Sequence, residues 1–275
     1  MKGCPIKKLI NLTSIFTIYE ETFVNDYYFP GESHDFWEFV CVVDGVLGVT
    51  AGTDVFILEH GQAVLHKPME FHRLWSEKKT RPHIIVLSFA VDRMPAVKEK
   101  LFRLTEEEVK TIQTLSAQTD LIFERQNNIL IQGVRPEKEY EQHLFVDAFE
   151  RVLLQMIKES GEAIQPVSST SAKHYKTIVT QLEQAVNEQL TLEELAVRCH
   201  MSSASVKKIF TKYAGTGVMT YFNELKIKRA VQLLHEGKTI GQTASLLGFS
   251  DQNYFSTVFK RVMKMSPSAY QKQCK

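Results

Sequence analysis

The C-terminal third of this 275-residue chain carries one pattern twice, and that repeat constrains the fold more than any other feature. Thr191-Leu192-Glu193-Glu194-Leu195-Ala196 aligns with Thr239-Ile240-Gly241-Gln242-Thr243-Ala244, and farther on Phe210 and Tyr221 align with Phe259 and Tyr270. Each copy opens on Thr followed three residues later by Glu or Gln, the capping-box signature of a helix start. Apolar or small residues then recur at i, i+3, i+4 and i+7: Leu192, Leu195, Ala196 and Cys199, and again Ile240, Thr243, Ala244 and Leu247. That spacing puts them on one helical face. A short turn and a second helix follow in each copy, which is the helix-turn-helix plan.

The second helix of each copy has two faces. In the later copy Tyr254, Phe255, Val258, Phe259 and Val262 are predicted to pack inward, leaving Gln252, Asn253, Ser256, Thr257 and Lys260 outward. In the earlier copy Val206, Ile209, Phe210 and Tyr213 pack inward, leaving Ser203, Ala204, Ser205, Lys207, Lys208 and Thr211 free. A helix lying in a DNA major groove needs short hydrogen-bonding side chains near its N-terminus and cations farther along for the phosphates. A solvated polar face is the plain alternative for either helix alone. Charge favours the DNA reading: Ser171 to Lys275 holds 15 Lys and Arg against 7 Asp and Glu, a net of +8, so the remainder carries −7 within an overall +1. A basic segment joined to an acidic body suggests that one part meets a polyanion and the other does something else.

Lys228-Arg229-Ala230, Gly248-Phe249-Ser250-Asp251, Tyr254-Phe255, Phe259-Lys260 and Met265-Ser266-Pro267-Ser268-Ala269-Tyr270 together resemble the C-terminal signature of the AraC/XylS family of bacterial transcription regulators. The resemblance implies two helix-turn-helix units joined by a long helix, about Val218 to His235, with reading helices near Ser203 to Tyr213 and Asp251 to Val262. Several positions depart from the family pattern: Thr257 stands where Arg is common, Thr211 where Lys is common, Thr243 where Ile usually packs, and His200 and Lys264 where Gly is common.

Upstream, residues 1 to about 95 contain β-prone runs at Glu38 to Val43, Val46 to Thr50, Val55 to Leu58 and His83 to Phe89, punctuated by Asp44-Gly45, Gly52 and Gly61. They predict a small β sandwich or barrel. The longest apolar run, Ile84 to Val91, is broken by Ser88. Glu32, His34, Glu38 and Gly45 have the spacing of the first cupin motif, with Glu32 in place of its first His, and Gly61, Pro68 and His72 approximate the second. On a strand, positions 32, 34 and 38 face one way. His34, Glu38 and His72 are therefore candidate effector-binding groups. The alternatives are structural hydrogen bonds, or metal ligation with Glu32 as a fourth, oxygen ligand. Sensor barrels that accompany AraC-type domains resemble metal-free small-molecule sites, so no metal or cofactor is assigned. Phe36, Trp37 and Trp75 are expected in core packing.

Two helices are predicted beyond the strands. One starts at the capping box of Thr105 and Glu108, with Val109, Ile112 and Leu115 apolar. The other runs from about Glu137 to Glu159 with a narrow polar stripe of Asp147, Glu150, Arg151, Gln155 and Lys158. Leu144, Phe145, Ala148, Phe149, Val152, Leu153, Met156 and Ile157 occupy the rest, an arc wide enough to pack on both its own domain and a partner subunit. A helix sunk in a core is the simpler alternative. Gly161 to Ala172, rich in Gly, Pro, Ser and Thr, reads as a linker. The four cysteines form no CxxC pair and read as reduced single thiols. Without a membrane-length apolar run or a secretion signal, the expected location is the cytoplasm.

The expectation is thus an α+β two-domain chain: a cupin-like effector-sensing β-barrel over 1–100, a helical dimerisation segment over 101–160, a linker over 161–172, and an all-α DNA-binding domain of two helix-turn-helix units over 173–275. Its implied activity is sequence-specific transcription regulation in response to a small molecule such as a sugar or related metabolite, without enzymatic activity. The implied partners are double-stranded DNA, the effector, a second copy in a homodimer and, for an activator, RNA polymerase; no membrane partner is implied. The competing readings are a metal-dependent cupin enzyme carrying a DNA-binding module, and a constitutive architectural DNA binder.

Overall fold

The computed structural model describes residues 3–159 and 165–273, which divide after Val167 into two compact units. Ten strands lie in the first unit: β1 (Asn11–Thr22), β2 (Trp37–Asp44), β3 (Leu47–Ala51), β4 (Asp54–Leu58), β5 (Gln62–His66), β6 (His72–Ser76), β7 (His83–Arg93), β8 (Leu101–Arg103), β9 (Phe123–Gln126) and β10 (Leu130–Val134). They form a seven-stranded sheet in the order β8-β5-β2-β7-β1-β10-β9 and a three-stranded sheet in the order β4-β3-β6. Two helices, α1 (Glu106–Ile122) and α2 (Glu139–Lys158), complete the unit.

Strand parity sorts the core into two layers. Phe39 and Cys41, Ala63 and Leu65, and Ile85, Leu87 and Phe89 share one cluster with Val109, Ile112 and Leu115 of α1 and Phe145, Phe149, Val152 and Leu153 of α2. The alternate residues Val40, Val42, Val64, Ile84 and Val86 instead meet Leu47, Val49, Phe56, Leu58 and Leu74 of the small sheet. Because successive side chains point to opposite faces, the central strands are apolar on both, which is why β2 and β7 read as near-continuous runs.

The structure corrects several expectations. The helical dimerisation segment expected over 101–160 also contains β8 and the hairpin β9–β10, in whose turn Asn127 and Asn128 are both at positive φ, and β10 joins the large sheet beside β1. Asn tolerates that conformation at the centre of the tight turn, which the Ile129 N–H closes onto the Gln126 carbonyl. On α2, Phe149 and Leu153 are fully buried in the unit's own core, so the simpler alternative holds for them. Glu150, placed on the polar stripe, is also buried; its carboxylate accepts the Leu12 N–H at 2.8 Å and pairs with Lys8. On α1 and α2 the exposed large apolar residues are Leu121, Tyr140 and Leu144. The linker expected through Ala172 ends sooner, because Ser169 caps a helix that begins at Thr170; residues 160–164 of that segment, and Cys274, lie outside the described residues. Cys4, Cys41 and Cys199 are free thiols.

The second unit holds α3 (Thr170–Gln184), α4 (Leu192–Arg198), α5 (Ser203–Ala214), α6 (Val218–His235), α7 (Ile240–Leu246), α8 (Gln252–Met263) and α9 (Pro267–Gln273). Both capping boxes form, at Thr191 with Glu194 and at Thr239 with Gln242. Phe255, Val258 and Phe259 are buried as predicted, whereas Tyr254 is half-exposed. His200 and Lys264 both take left-handed backbone, φ 55° and 58°, where the family pattern has glycine. Among the described residues no helix is long and apolar enough to cross a membrane.

Thr243 is fully buried on α7 and its hydroxyl finds no hydrogen-bond partner. Thr243→Val keeps the shape and removes the unpaired group, so the C-terminal unit should gain about 1 kcal/mol. A rise in the urea midpoint followed by far-ultraviolet circular dichroism is the expected reading; an unchanged or lower midpoint contradicts it.

Candidate functional site

At one end of the sandwich the inward face of the large sheet turns polar. Glu38 on β2 sits opposite His66 on β5 and opposite Ser88 on β7, and Ser88 in turn opposes Thr17 on β1. The Thr17 hydroxyl donates to Ser88 Oγ at 2.6 Å, and the Ser88 hydroxyl donates to Glu38 Oε2 at 3.1 Å. His72, the first residue of β6, brings its ring across from the small sheet, and Glu32, in the connection between β1 and β2, pairs with it through a backbone bridge. His34 stacks on Phe36 with ring centroids 3.8 Å apart. The structure thus gathers His34, Glu38 and His72 with Glu32 at the wall of a cavity of about 420 Å³, also lined by Tyr19, Tyr27, Phe29 and Ser88.

The imidazoles are held by their Nδ1 atoms. His34 Nδ1 lies 3.0 Å from the Phe36 carbonyl and His72 Nδ1 lies 3.2 Å from the Glu70 carbonyl. A carbonyl only accepts, so each Nδ1 carries hydrogen and each Nε2 turns toward Glu38: His72 Nε2 is 3.2 Å from Oε1 and His34 Nε2 is 3.6 Å from Oε2. Neither approach has the line of a hydrogen bond. Burial disfavours the charged form of His72, but the carboxylates of Glu32 and Glu38 outweigh it and raise the imidazole to about 10. Burial likewise opposes ionisation of Glu38, yet the flanking His34 and His72 rings hold its carboxyl well below the usual range. Burial, reinforced by Glu38, pushes the Tyr19 phenol up, keeping it a neutral donor.

A second polar layer lies behind. His66 is fully buried, stacks on His72 at 4.4 Å and faces Glu70 through Nδ1 at 3.2 Å; its burial pulls the imidazole down, toward the neutral form. Lys100 closes on Glu70 at 2.6 Å. Sequence reading missed Thr17, Ser88, His66 and Glu70. Ser88 did leave a trace, as the polar break in an apolar run. Of the three aromatics expected in the core, Phe36 lines the cavity instead, Trp37 packs against the helix-covered core, and Trp75 lies over Gly48, whose Cβ position its ring fills.

In the second unit the outward faces of α5 and α8 carry the residues predicted for DNA. Ala204, Ser205, Lys207, Lys208 and Thr211 are exposed and Ser203 is partly so; on α8, Gln252, Asn253, Thr257 and Lys260 are exposed and Ser256 is partly so. Ser256 and Thr257 donate to the carbonyls of Gln252 and Asn253 one turn back. Lys212 and Arg261 add exposed cations on the same helices. Lys226, buried in the middle of α6, donates to the Glu188 carbonyl before α4 and to the Leu247 carbonyl ending α7, both at 2.6 Å, and lies over the rings of Phe222 and Phe249. Gly248, at φ 62°, packs so close that a Cβ would fall 2.6 Å from the Glu188 carbonyl carbon. One side chain and one glycine therefore join the two helix-turn-helix units.

The AraC-like ligand binding domain model matches residues 15–157, more than half of the chain, and a helix-turn-helix domain model matches 195–273. The chain belongs to the AraC family. Curated relatives include the transcriptional regulatory protein HptR of Staphylococcus aureus, 26% identical over 159 residues, covering 54% of this chain and 63% of HptR. The HTH-type transcriptional activator RhaR of Pectobacterium atrosepticum is 33% identical over 97 residues, 35% of this chain and 34% of RhaR. The chain thus spans less than two thirds of the length of the curated relatives it matches. Among solved structures, ToxT from Vibrio cholerae O395 aligns over 98% of this chain and 99% of its own at 15% identity and a TM-score of 0.38.

Lys226→Met keeps the apolar stem and removes the two donors, leaving two carbonyls unpaired. The expected loss is about 2 kcal/mol or more from the C-terminal unit, read as a lower urea midpoint by circular dichroism. An unchanged midpoint would show that the staple is dispensable.

Proposed function

We propose that this chain is a sequence-specific transcription regulator in which an effector entering the β-sandwich cavity governs DNA binding by α5 and α8. The observation that carries the reading is the pairing, in one AraC-family chain, of a polar cavity with two outward basic helices tied together by Lys226. The cavity wall holds the carboxylates of Glu32 and Glu38 beside neutral hydroxyl donors, which suits an uncharged hydroxyl-rich molecule such as a sugar better than an anion. His34, Glu38 and His72 are the effector-binding groups in this reading. No catalytic role is assigned to any residue.

Ser203, Ala204, Ser205, Gln252, Asn253, Ser256 and Thr257 would meet base edges, and Lys207, Lys208, Thr211 and Lys260 would meet phosphates. Replacing Lys207 and Lys208 with Ala should weaken binding to all sequences and flatten the dependence of log affinity on log salt by about one to two units of slope. Asn253→Ala should instead change the preferred base, a discrimination of about 1–3 kcal/mol. Competition gel shifts on randomised duplexes separate these; the same uniform loss in both variants contradicts the division.

A homodimer is the proposed assembly, through the exposed Leu121 of α1 and Leu144 of α2, 66% and 68% exposed beside one cleft. Leu144→Glu should release monomers in sedimentation without unfolding, because an unpaired charge at a dry interface is costly. A monomeric parent chain ends this proposal. If the regulator activates, RNA polymerase is its further partner. The effector reading itself is tested by a reporter dose-response: His34→Ala should shift the half-maximal concentration upward by tenfold or more with DNA affinity unchanged, and an unaltered response removes His34 from the site.

A further inference from the structure

We propose that Glu32, His34, Glu38 and His72 bind one divalent transition-metal ion whose open side faces the cavity, so that the effector is one with neighbouring oxygen donors. The second half of this proposal rests on the effector reading above; the first half stands on the geometry alone.

One candidate ligand atom from each of the four residues lies within 4.8 Å of all the others. Metal bonds to imidazole nitrogen and carboxylate oxygen are about 2.0–2.2 Å, so ligand atoms around an ion sit roughly 3–4 Å apart. The four atoms are therefore slightly spread from a closed shell. The short approaches of His72 and His34 to Glu38, 3.2 and 3.6 Å, already lie in that range.

The tautomers supply the second argument. Both Nδ1 atoms donate to backbone carbonyls, so it is Nε2 of each ring that faces the cluster, and an ion binds there by displacing the proton that His72 otherwise holds between the two carboxylates. Outer hydrogen bonds of this kind orient metal-binding histidines. His72 is 1% exposed, and among the described residues the Nε2 atoms of His72 and His34 face only the Glu38 and Glu32 carboxylates and make no aligned hydrogen bond. A buried ring nitrogen is rarely left so without something to coordinate. Glu38 is braced from behind by the Ser88 hydroxyl, which fixes the carboxylate while leaving Oε1 turned to His72.

Charge and donor type select the ion. Once the ion has displaced the Nε2 proton and both imidazoles are neutral, the two carboxylates leave −2, matched by a dication, and a nitrogen and oxygen set without thiolate suits zinc, iron(II), manganese, cobalt or nickel. His66 stays outside the set: its ligand atoms are not among those that lie within 4.8 Å of one another, and its ring stacks behind His72. Glu32 is 51% exposed on its side chain and lies at the cavity side, which makes it the ligand most readily displaced by an incoming effector.

The test uses the full chain, freed of metal with a chelator and titrated with Co²⁺ followed by its visible absorption, with Zn²⁺ competition for affinity. Saturation at one Co²⁺ per chain is expected. Glu32→Gln, a change at a half-exposed site, should lower the affinity at least tenfold, and the His34→Gln/His72→Gln double variant should abolish the spectrum. No stoichiometric Co²⁺ spectrum in the parent, or an equal one in the double variant, overturns the metal site. Ile129→Trp at the cavity lining separates the two readings. A reporter response that survives this obstruction removes the effector reading and leaves the metal site to stand on the titration. A response blocked by it in a parent that binds no Co²⁺ overturns the metal site and leaves the effector reading standing.

Discussion

The burial of the Glu38 carboxylate is the interaction around which the first unit is arranged. An ionised carboxylate withdrawn from water is tolerated only where charges and donors replace its hydration. Two strands and a loop supply the replacements: Ser88 from β7, His72 from β6 and His34 from the segment before β2. Those groups are in place only if the two sheets close on each other in the observed register, so the polar cluster and the apolar layers beside it depend on the same pairing. A one-residue slip of β2 would turn Glu38 toward the helices and Phe39 into the cavity.

The second unit depends on a smaller device of the same kind. Its two helix-turn-helix units each have a core of their own, and α6 runs through both. A shared helix alone leaves the units free to splay. Lys226 reaches carbonyls on either side and Gly248 permits backbone contact at the junction, so the spacing of α5 and α8 is set by hydrogen bonds. Fixed spacing is what a duplex with two adjacent reading sites demands of a protein.

Much of this was legible in the chain because it is local. Capping boxes join residues three apart and so mark the starts of α4 and α7, and the two faces of α5 and α8 follow from a 3.6-residue period; the bounds of α5, α6 and α8, which the family resemblance implied, fall within a residue or two of the observed ones. His200 and Lys264 stood out in the chain only as departures from a family pattern with glycine; their left-handed backbone came from the structure. Tyr254 was misplaced because it sits at the helix margin, where periodicity does not decide between core and solvent.

The sequence by itself determined the paired helix-turn-helix plan, the basic character of one unit, and that positions 34, 38 and 72 carry ligand-type side chains. Only the tertiary structure decided that Thr17, Ser88, Glu38 and His66 form one row across four strands, since their pairings span dozens of residues and no periodicity records which strand lies beside which. It also decided that Phe149 and Leu153 belong to the core while Leu121 and Leu144 do not, because an apolar helix has no preferred inward side until a sheet and a second helix claim part of its surface.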